Sequence, residues 1–269
     1  MKASIFPLWW NPWGDEGIKF DDTKVSISID NFKCEESAQI KILFLAEPYS
    51  IIPSVNDEAL KQAHLFDKIY TFNQNVIDAH KQSELFLWGS SWLDFDDLKL
   101  NKKNHITFVT SNKGQTIGHK LRLSIYDGLN NFDEVNKMEV YTHRSPPFHH
   151  RRNDFFETSL FHISVENSQQ KNYFTEKVID CFASKTIPIY WGCPNLGEWF
   201  NMDGVIAFNN IDDLKNIFDY IDEDYYNSKM QVIEENYEIA KQFHGINDVV
   251  PRLTNTIIEE VNKNATKRI

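Results

Sequence analysis

Long apolar runs are missing from this chain: no stretch approaches the ~20 residues that a bilayer-spanning helix needs. The N-terminal Met1-Lys2-Ala3-Ser4-Ile5-Phe6-Pro7-Leu8 is too short for a signal sequence, and proline interrupts it. Cysteine is scarce. Cys34, Cys181 and Cys193 are odd in number and scattered, which fits neither a disulfide framework nor a zinc knuckle and points to a reducing compartment. Basic charge is in deficit as well: 28 Lys and Arg against 39 Asp and Glu leave a net charge of -11. Such a field repels phosphate backbones and anionic lipid except at a local basic patch, so nucleic acid is set aside as a partner. Internal repeats and low-complexity tracts are also lacking. These absences lead to the expectation of a soluble, cytoplasmic protein, with peripheral membrane contact left open.

What is present is a globular composition, 41% hydrophobic and 14% aromatic, over 269 residues. That length suits one large or two small domains. Strand-like apolar runs alternate with amphipathic stretches, the pattern of α/β layers. Strands are expected at 3–8, 25–29, 40–45, 68–72 and 84–88, with helices at 56–65 and 75–80 between them. From Asp94 to His105 the chain turns polar, and a linker is expected there. A second alternating set follows, with strands at 106–110, 138–141, 160–165, 187–191 and 205–208 and helices at 118–129 and 173–184. The chain then becomes helical over 211–221, 224–242 and 248–262. The domains are accordingly expected at 1–103 and 104–245, with a C-terminal helix over 246–269 packing back on the first. A cleft is expected at their junction, where ligands commonly bind.

The densest chemistry lies in Phe161-His162-Ile163-Ser164-Val165-Glu166-Asn167-Ser168, then Tyr173-Phe174-Thr175-Glu176-Lys177, then Thr186-Ile187-Pro188-Ile189-Tyr190-Trp191-Gly192. It reads as strand, polar loop, helix start, strand. A helix opening at Thr175-Glu176-Lys177 turns free N–H groups and the positive end of its dipole toward the loop, which suits a phosphate, and Lys177 adds a full charge.

This order and spacing resemble the α-1,3/4-fucosyltransferase family, whose donor motif runs Glu-Asn-Ser, a short gap, Tyr-x-Thr-Glu-Lys, then a Pro-containing strand ending in Gly. Upstream, Ser111-Asn112 after Phe108-Val109-Thr110, then Arg122 and Tyr126-Asp127-Gly128-Leu129, look like the family's Ser-Asn strand end and its arginine helix. Leu43-Phe44-Leu45-Ala46-Glu47-Pro48 looks like the strand presenting its acidic base, and Trp13-Gly14-Asp15-Glu16 resembles an N-terminal segment of bacterial members. The resemblance is strong over 105–210 and thin before it. Between Tyr141 and Asp154 the chain departs from the Gly-rich loop of bacterial relatives.

The resemblance implies an α/β fold of the GT-B arrangement, two Rossmann-like domains with a cleft between them. It implies an inverting transferase moving fucose from GDP-fucose to a glycan hydroxyl, in α-1,3 linkage. The acceptor expected is a glycan or lipid-linked oligosaccharide. Arg122 and Lys177 would bind the diphosphate, Glu176 the ribose, Asn167 and Tyr173 the rest of the donor, and Glu47 would deprotonate the acceptor. No cofactor is required in this reading, because fixed cations can stabilise a departing diphosphate, and stimulation by a divalent ion stays open. Trp10 and Trp13, with Trp9 beside them, are the expected acceptor contacts.

Plainer readings stand beside these. Glu47 before Pro48 could simply end a strand. Glu166 is either a rival base or, on balance, a structural carboxylate. Asp94-Phe95-Asp96 has the form of a metal-binding pair but reads better as a solvated loop. His149-His150-Arg151-Arg152 could bind a phosphate or a metal but reads better as a polar loop. Transfer from another nucleotide sugar, or sugar-nucleotide binding without turnover, are the alternatives to fucosyl transfer.

Overall fold

The structure, a computed structural model, describes residues 1–129, 134–135, 138–144, 152–243 and 249–266. Two compact units divide the chain. One comprises 1–88, 171–173 and 247–269, the other 89–170 and 174–246.

In the first unit β1 (Ser4–Pro7), β2 (Val25–Ile29), β3 (Ile40–Leu45), β4 (Lys68–Thr71) and β5 (Ser83–Leu85) form one parallel sheet in chain order. The alternation of side chains along β3 divides its residues between two apolar layers. Leu43 and Leu45 join Ile69, Ala59 and Val76 beneath α1 (Pro53–Gln62) and α2 (Gln74–Ala79). Ile40, Ile42 and Phe44 join Tyr70, Val25 and Ile27 in the other layer. That layer is closed by Val249, Leu253, Ile257 and Val261, which recur every fourth residue along α9 (Val249–Thr266). The C-terminal helix therefore shares its core with the N-terminal sheet.

The second unit holds β6 (Lys103–Thr110), β7 (Glu134–Val135), β8 (Met138–Arg144), β9 (Ser159–Val165), β10 (Ile187–Trp191) and β11 (Ile206–Ala207). Their spatial order is β7-β8-β6-β9-β10-β11, parallel except for β7. Numbered within the unit, that is 2-3-1-4-5-6; without the two-residue antiparallel β7 the five parallel strands run 2-1-3-4-5, a doubly wound order with its reversal between β6 and β9. Around the sheet are α3 (Ile117–Leu129), α4 (Arg152–Thr158), α5 (Glu176–Ala183), α6 (Ile211–Phe218), α7 (Glu223–Ser228) and α8 (Met230–Ala240). β9 is buried along its whole length, as a strand covered on both faces must be.

The structure departs from the sequence expectations in several places. The units part after Trp88, and the polar stretch expected as a linker belongs to the second unit. That stretch and the residues just before it are bonded within the second unit. Ser91 Oγ and the Trp92 N–H donate to Asp180 Oδ1 at 2.7 and 2.8 Å, and Lys99 N–H donates to Glu157 at 2.8 Å. The Lys102 ammonium donates to the carbonyls of Phe156 and Ser159 and to Thr186 Oγ1 at 2.7–2.8 Å. Burial pulls its pKa down to about 7. α1 starts three residues early because Pro53 is preorganised for a first turn. The helix expected over 224–242 is two, α7 and α8, meeting at Lys229. The helix expected from Tyr173 starts at Glu176, because Thr175 is its cap and 171–173 belong to the first unit.

Candidate functional site at the strand-order reversal

Where parallel strand order reverses, the connections leaving the two central strands run opposite ways and open a crevice at the carboxyl ends. Here those connections are Ser111–Thr116 after β6 and Glu166–Thr175 after β9, and each delivers a helix N-terminus, α3 and α5.

Contact between the two connections depends on a glycine. The Gly118 N–H donates to the Asn167 carbonyl at 3.1 Å, and a Cβ on Gly118 would sit 1.8 Å from the Glu166 carbonyl oxygen. Only glycine allows that approach. One turn further along α3, buried Arg122 donates from Nη1 to the Val165 carbonyl at 3.1 Å and from Nη2 to Asn167 Oδ1 at 2.7 Å. Both of these bonds are to neutral oxygens.

Glu166 organises the other side. Fully buried, it accepts the Thr175 N–H on Oε1 and the Thr175 hydroxyl on Oε2, both at 2.8 Å, and lies 3.6 Å from Lys177 Nζ. Burial pushes its carboxyl pKa up, against the lowering by Lys177 and the two Thr175 bonds. Thr175 caps α5, and Lys177 Nζ donates to Thr175 Oγ1 and to Glu176 Oε1, each at 3.0 Å. For Lys177, burial favours the neutral amine, but Glu176 and Glu166 outweigh it and hold the pKa up. The ammonium is thus charged and fixed at a helix start. The carboxylate weighed as a rival base is occupied in positioning Thr175 and Lys177.

Of the expected donor residues, Asn167 therefore lies on the connection after β9, Arg122 on α3 and Glu176 and Lys177 in the first turn of α5, the two helices that the connections deliver. Tyr173 is set apart: it belongs to the first unit, buried with its ring 5.1 Å from that of Phe72. Its large apolar ring gains more from that packing than a solvated loop position would give.

Within the first unit, Glu47 lies two residues beyond β3, half-buried at the carboxyl edge of that sheet. Asp30, one residue beyond β2, has φ +49° and is buried. Its Oδ1 accepts the N–H of Ala46 at 2.9 Å and that of Glu47 at 3.5 Å. Burial raises the Asp30 pKa to about 7, and the charge of Glu47 adds to the rise. Sequence reading missed Asp30, although an aspartate directly after the alternating Val25-Ser26-Ile27-Ser28-Ile29 marks a strand end. Trp10 is 47% exposed and Trp9 65%. Trp13 is spent on structure: its indole N–H donates to Thr254 Oγ1 at 2.9 Å and its ring packs on the β2-β3-α9 core.

Asp94 Oδ1 accepts the Asp96 N–H at 3.1 Å, which makes that segment a turn. Among the described residues no cluster of three or more His, Cys, Asp or Glu could hold a metal ion. No helix there is long and apolar enough to cross a membrane. His149, His150 and Arg151 lie outside the described residues, as does the side chain of Arg152.

A doubly wound α/β unit with Arg122 and Lys177 on the two helices that leave its reversal is suited to an anionic ligand. The sequence profile of glycosyltransferase family 10 (fucosyltransferase), C-terminal part, matches residues 99–243, and the chain belongs to that family. Over 140 residues it is 33% identical to the alpha-(1,3)-fucosyltransferase FucT of Helicobacter pylori. That match covers 50% of this chain and 28% of the relative, so the chain spans little more than a quarter of it. In fold it is similar to a crystal structure of alpha1,3-fucosyltransferase with GDP-fucose, with TM-score 0.52 and 18% identity over 87% of this chain and 82% of that one. A second, with GDP, has TM-score 0.54 and 17% identity over 90% and 89%. The fold is thus that of the GT-B fucosyltransferases.

Proposed function

We propose that this chain transfers fucose from GDP-fucose to a hydroxyl of a glycan, with inversion and in α-1,3 linkage. The reading is carried by Arg122 and Lys177 standing on α3 and α5, the two helices that leave the reversal. As the bond from the sugar carbon to the diphosphate breaks, negative charge develops on the departing oxygens. Two cations already held in place stabilise it with little reorganisation. Asn167 orients the guanidinium, and Glu176 is the ribose acceptor. The acceptor oxygen forms the new bond to the sugar carbon, and its proton passes to Glu47, the base at the edge of the first sheet.

The order of the reaction sets the test. Calorimetry without added metal should show GDP-fucose and GDP binding, and UDP-sugars binding far more weakly. Preference for a UDP-sugar would keep the fold and overturn the donor. Glu47→Ala should abolish transfer while sparing GDP affinity, and a variant with full turnover would remove Glu47 from the mechanism.

A further inference from the structure

His119 takes part in starting α3. Thr116 Oγ1 accepts the His119 N–H at 3.1 Å. In return, His119 Nδ1 accepts the Thr116 N–H at 3.2 Å and lies 2.9 Å from Thr116 Oγ1. This is a capping box in which an imidazole stands where glutamate is usual. A backbone N–H can only donate, so Nδ1 carries no proton, and the proton of the neutral ring sits on Nε2. The ring stays neutral, because burial and then the charges of Arg122, Lys113 and Lys177 lower its pKa to about 4.

The residue is only 5% exposed, yet Nε2 has no hydrogen-bond partner among the described residues. His119 also precedes Arg122 by one turn on the same side of α3. It is flanked by two residues already tied to the loop after β9, Gly118 through the Asn167 carbonyl and Arg122 through Val165 and Asn167. The capping box therefore fixes one ring nitrogen and leaves the other as a donor within the electrostatic reach of Arg122, Lys113 and Lys177.

We propose that His119 Nε2–H is a third ligand of the donor's diphosphate, a neutral hydrogen-bond donor set beside Arg122 and Lys177. The inference rests on the donor-site reading above. A neutral donor suits this place physically: it adds a hydrogen bond to an anion without the mutual repulsion that a third full charge would bring to two fixed cations.

Two substitutions separate capping from ligand binding. His119→Glu keeps the acceptor that the box needs but removes the donor and adds a negative charge. His119→Gln keeps an acceptor and also supplies an amide donor. By calorimetry, His119→Glu should weaken GDP binding by roughly ten- to hundredfold or more, the range expected for a lost bond to a charged group. Its guanosine affinity and melting temperature should stay near wild type, and His119→Gln should bind GDP within several-fold of wild type. Equal GDP affinity in His119→Glu, or an equal loss of GDP and guanosine, would overturn the inference while leaving the donor-site reading intact. Failure of the wild-type protein to bind GDP would overturn both. The unsubstituted protein gives a check independent of variant folding. GDP, but not guanosine, should shift the His119 Nε2 resonance in nitrogen-15 spectra, and an unmoved resonance would sink the proposal.

Discussion

The five parallel strands of the first unit run in chain order, whereas the six of the second reverse direction between β6 and β9. A right-handed crossover between strands laid down in one direction always places its helix on the same face. α1 and α2 accordingly share the Leu43, Leu45 and Ile69 face, and the opposite face is left to α9, nearly two hundred residues further along the chain. In the second unit the reversal does two things: it sends connections both ways, and it places two helix N-termini at the same end of neighbouring strands. The first unit is closed by a distant segment. The second gathers Asn167, Glu176 and Lys177 on segments that follow directly on its own strands.

The sharpest way to break this contrast is at α9. Truncating both Leu253 and Ile257, each fully buried, to alanine should cost roughly 2–5 kcal/mol per site in the first unit. Amide exchange should rise across β1 to β5 and remain slow in β6, β9 and β10. Uniform loss of protection would show that the two units unfold as one. Next in size is Glu166→Ala, which strips Thr175 of two acceptors and Lys177 of its buried counter-charge. A stability loss on the order of 3 kcal/mol is expected, with weaker GDP binding, and Glu166→Gln should recover part of both. Thermal melts and titrations with GDP report on these, and an unchanged GDP affinity in Glu166→Ala would make Glu166 irrelevant to the site.

Asp30→Asn tests the corresponding loop end of the first unit. The folded pKa of Asp30 is raised, to about 7 from an ordinary 3.8, so its ionisation opposes folding. Wild-type stability contributed by the neutral carboxyl is fully present below about pH 4 and is lost as pH rises toward 7, by at most about 1.4 kcal/mol per unit. Asparagine keeps the acceptor for Ala46 and tolerates the positive φ. The variant should therefore gain on wild type between pH 4 and 7 and hold a constant advantage above that range, as melts at several pH values would show. A gain independent of pH would mean that the carboxyl stays ionised in the fold. Smallest of all, Trp10→Ala should change stability by less than about 0.5 kcal/mol, because the side chain is largely exposed. A larger drop in the melting temperature would mean that Trp10 belongs to the core.

Local signals made much of this protein legible. Apolar runs such as 40–45 and 187–191 coincide with β3 and β10, and the Thr175-Glu176-Lys177 segment opens a helix because threonine is a good cap and its neighbours suit a first turn. Weaker signals failed for physical reasons. β7 is two residues long and α4 seven, both below the length at which periodicity speaks. The stretch from Asp94 to His105 was expected as a linker because polarity resembles solvation, when its Lys102 ammonium bonds the carbonyls of Phe156 and Ser159.

By itself, then, the sequence determined the α/β class, most strand positions and the cluster of charged residues around 166–177, since each depends on neighbours within a few positions of chain. Only the tertiary structure decided the strand order with its reversal between β6 and β9, the pairing of Arg122 with Asn167, the burial of Glu166 and Asp30, the packing of Tyr173 on Phe72 and the closure of the first core by α9. Those depend on which distant segments meet, and on the desolvation that follows when they do, neither of which is written in local spacing.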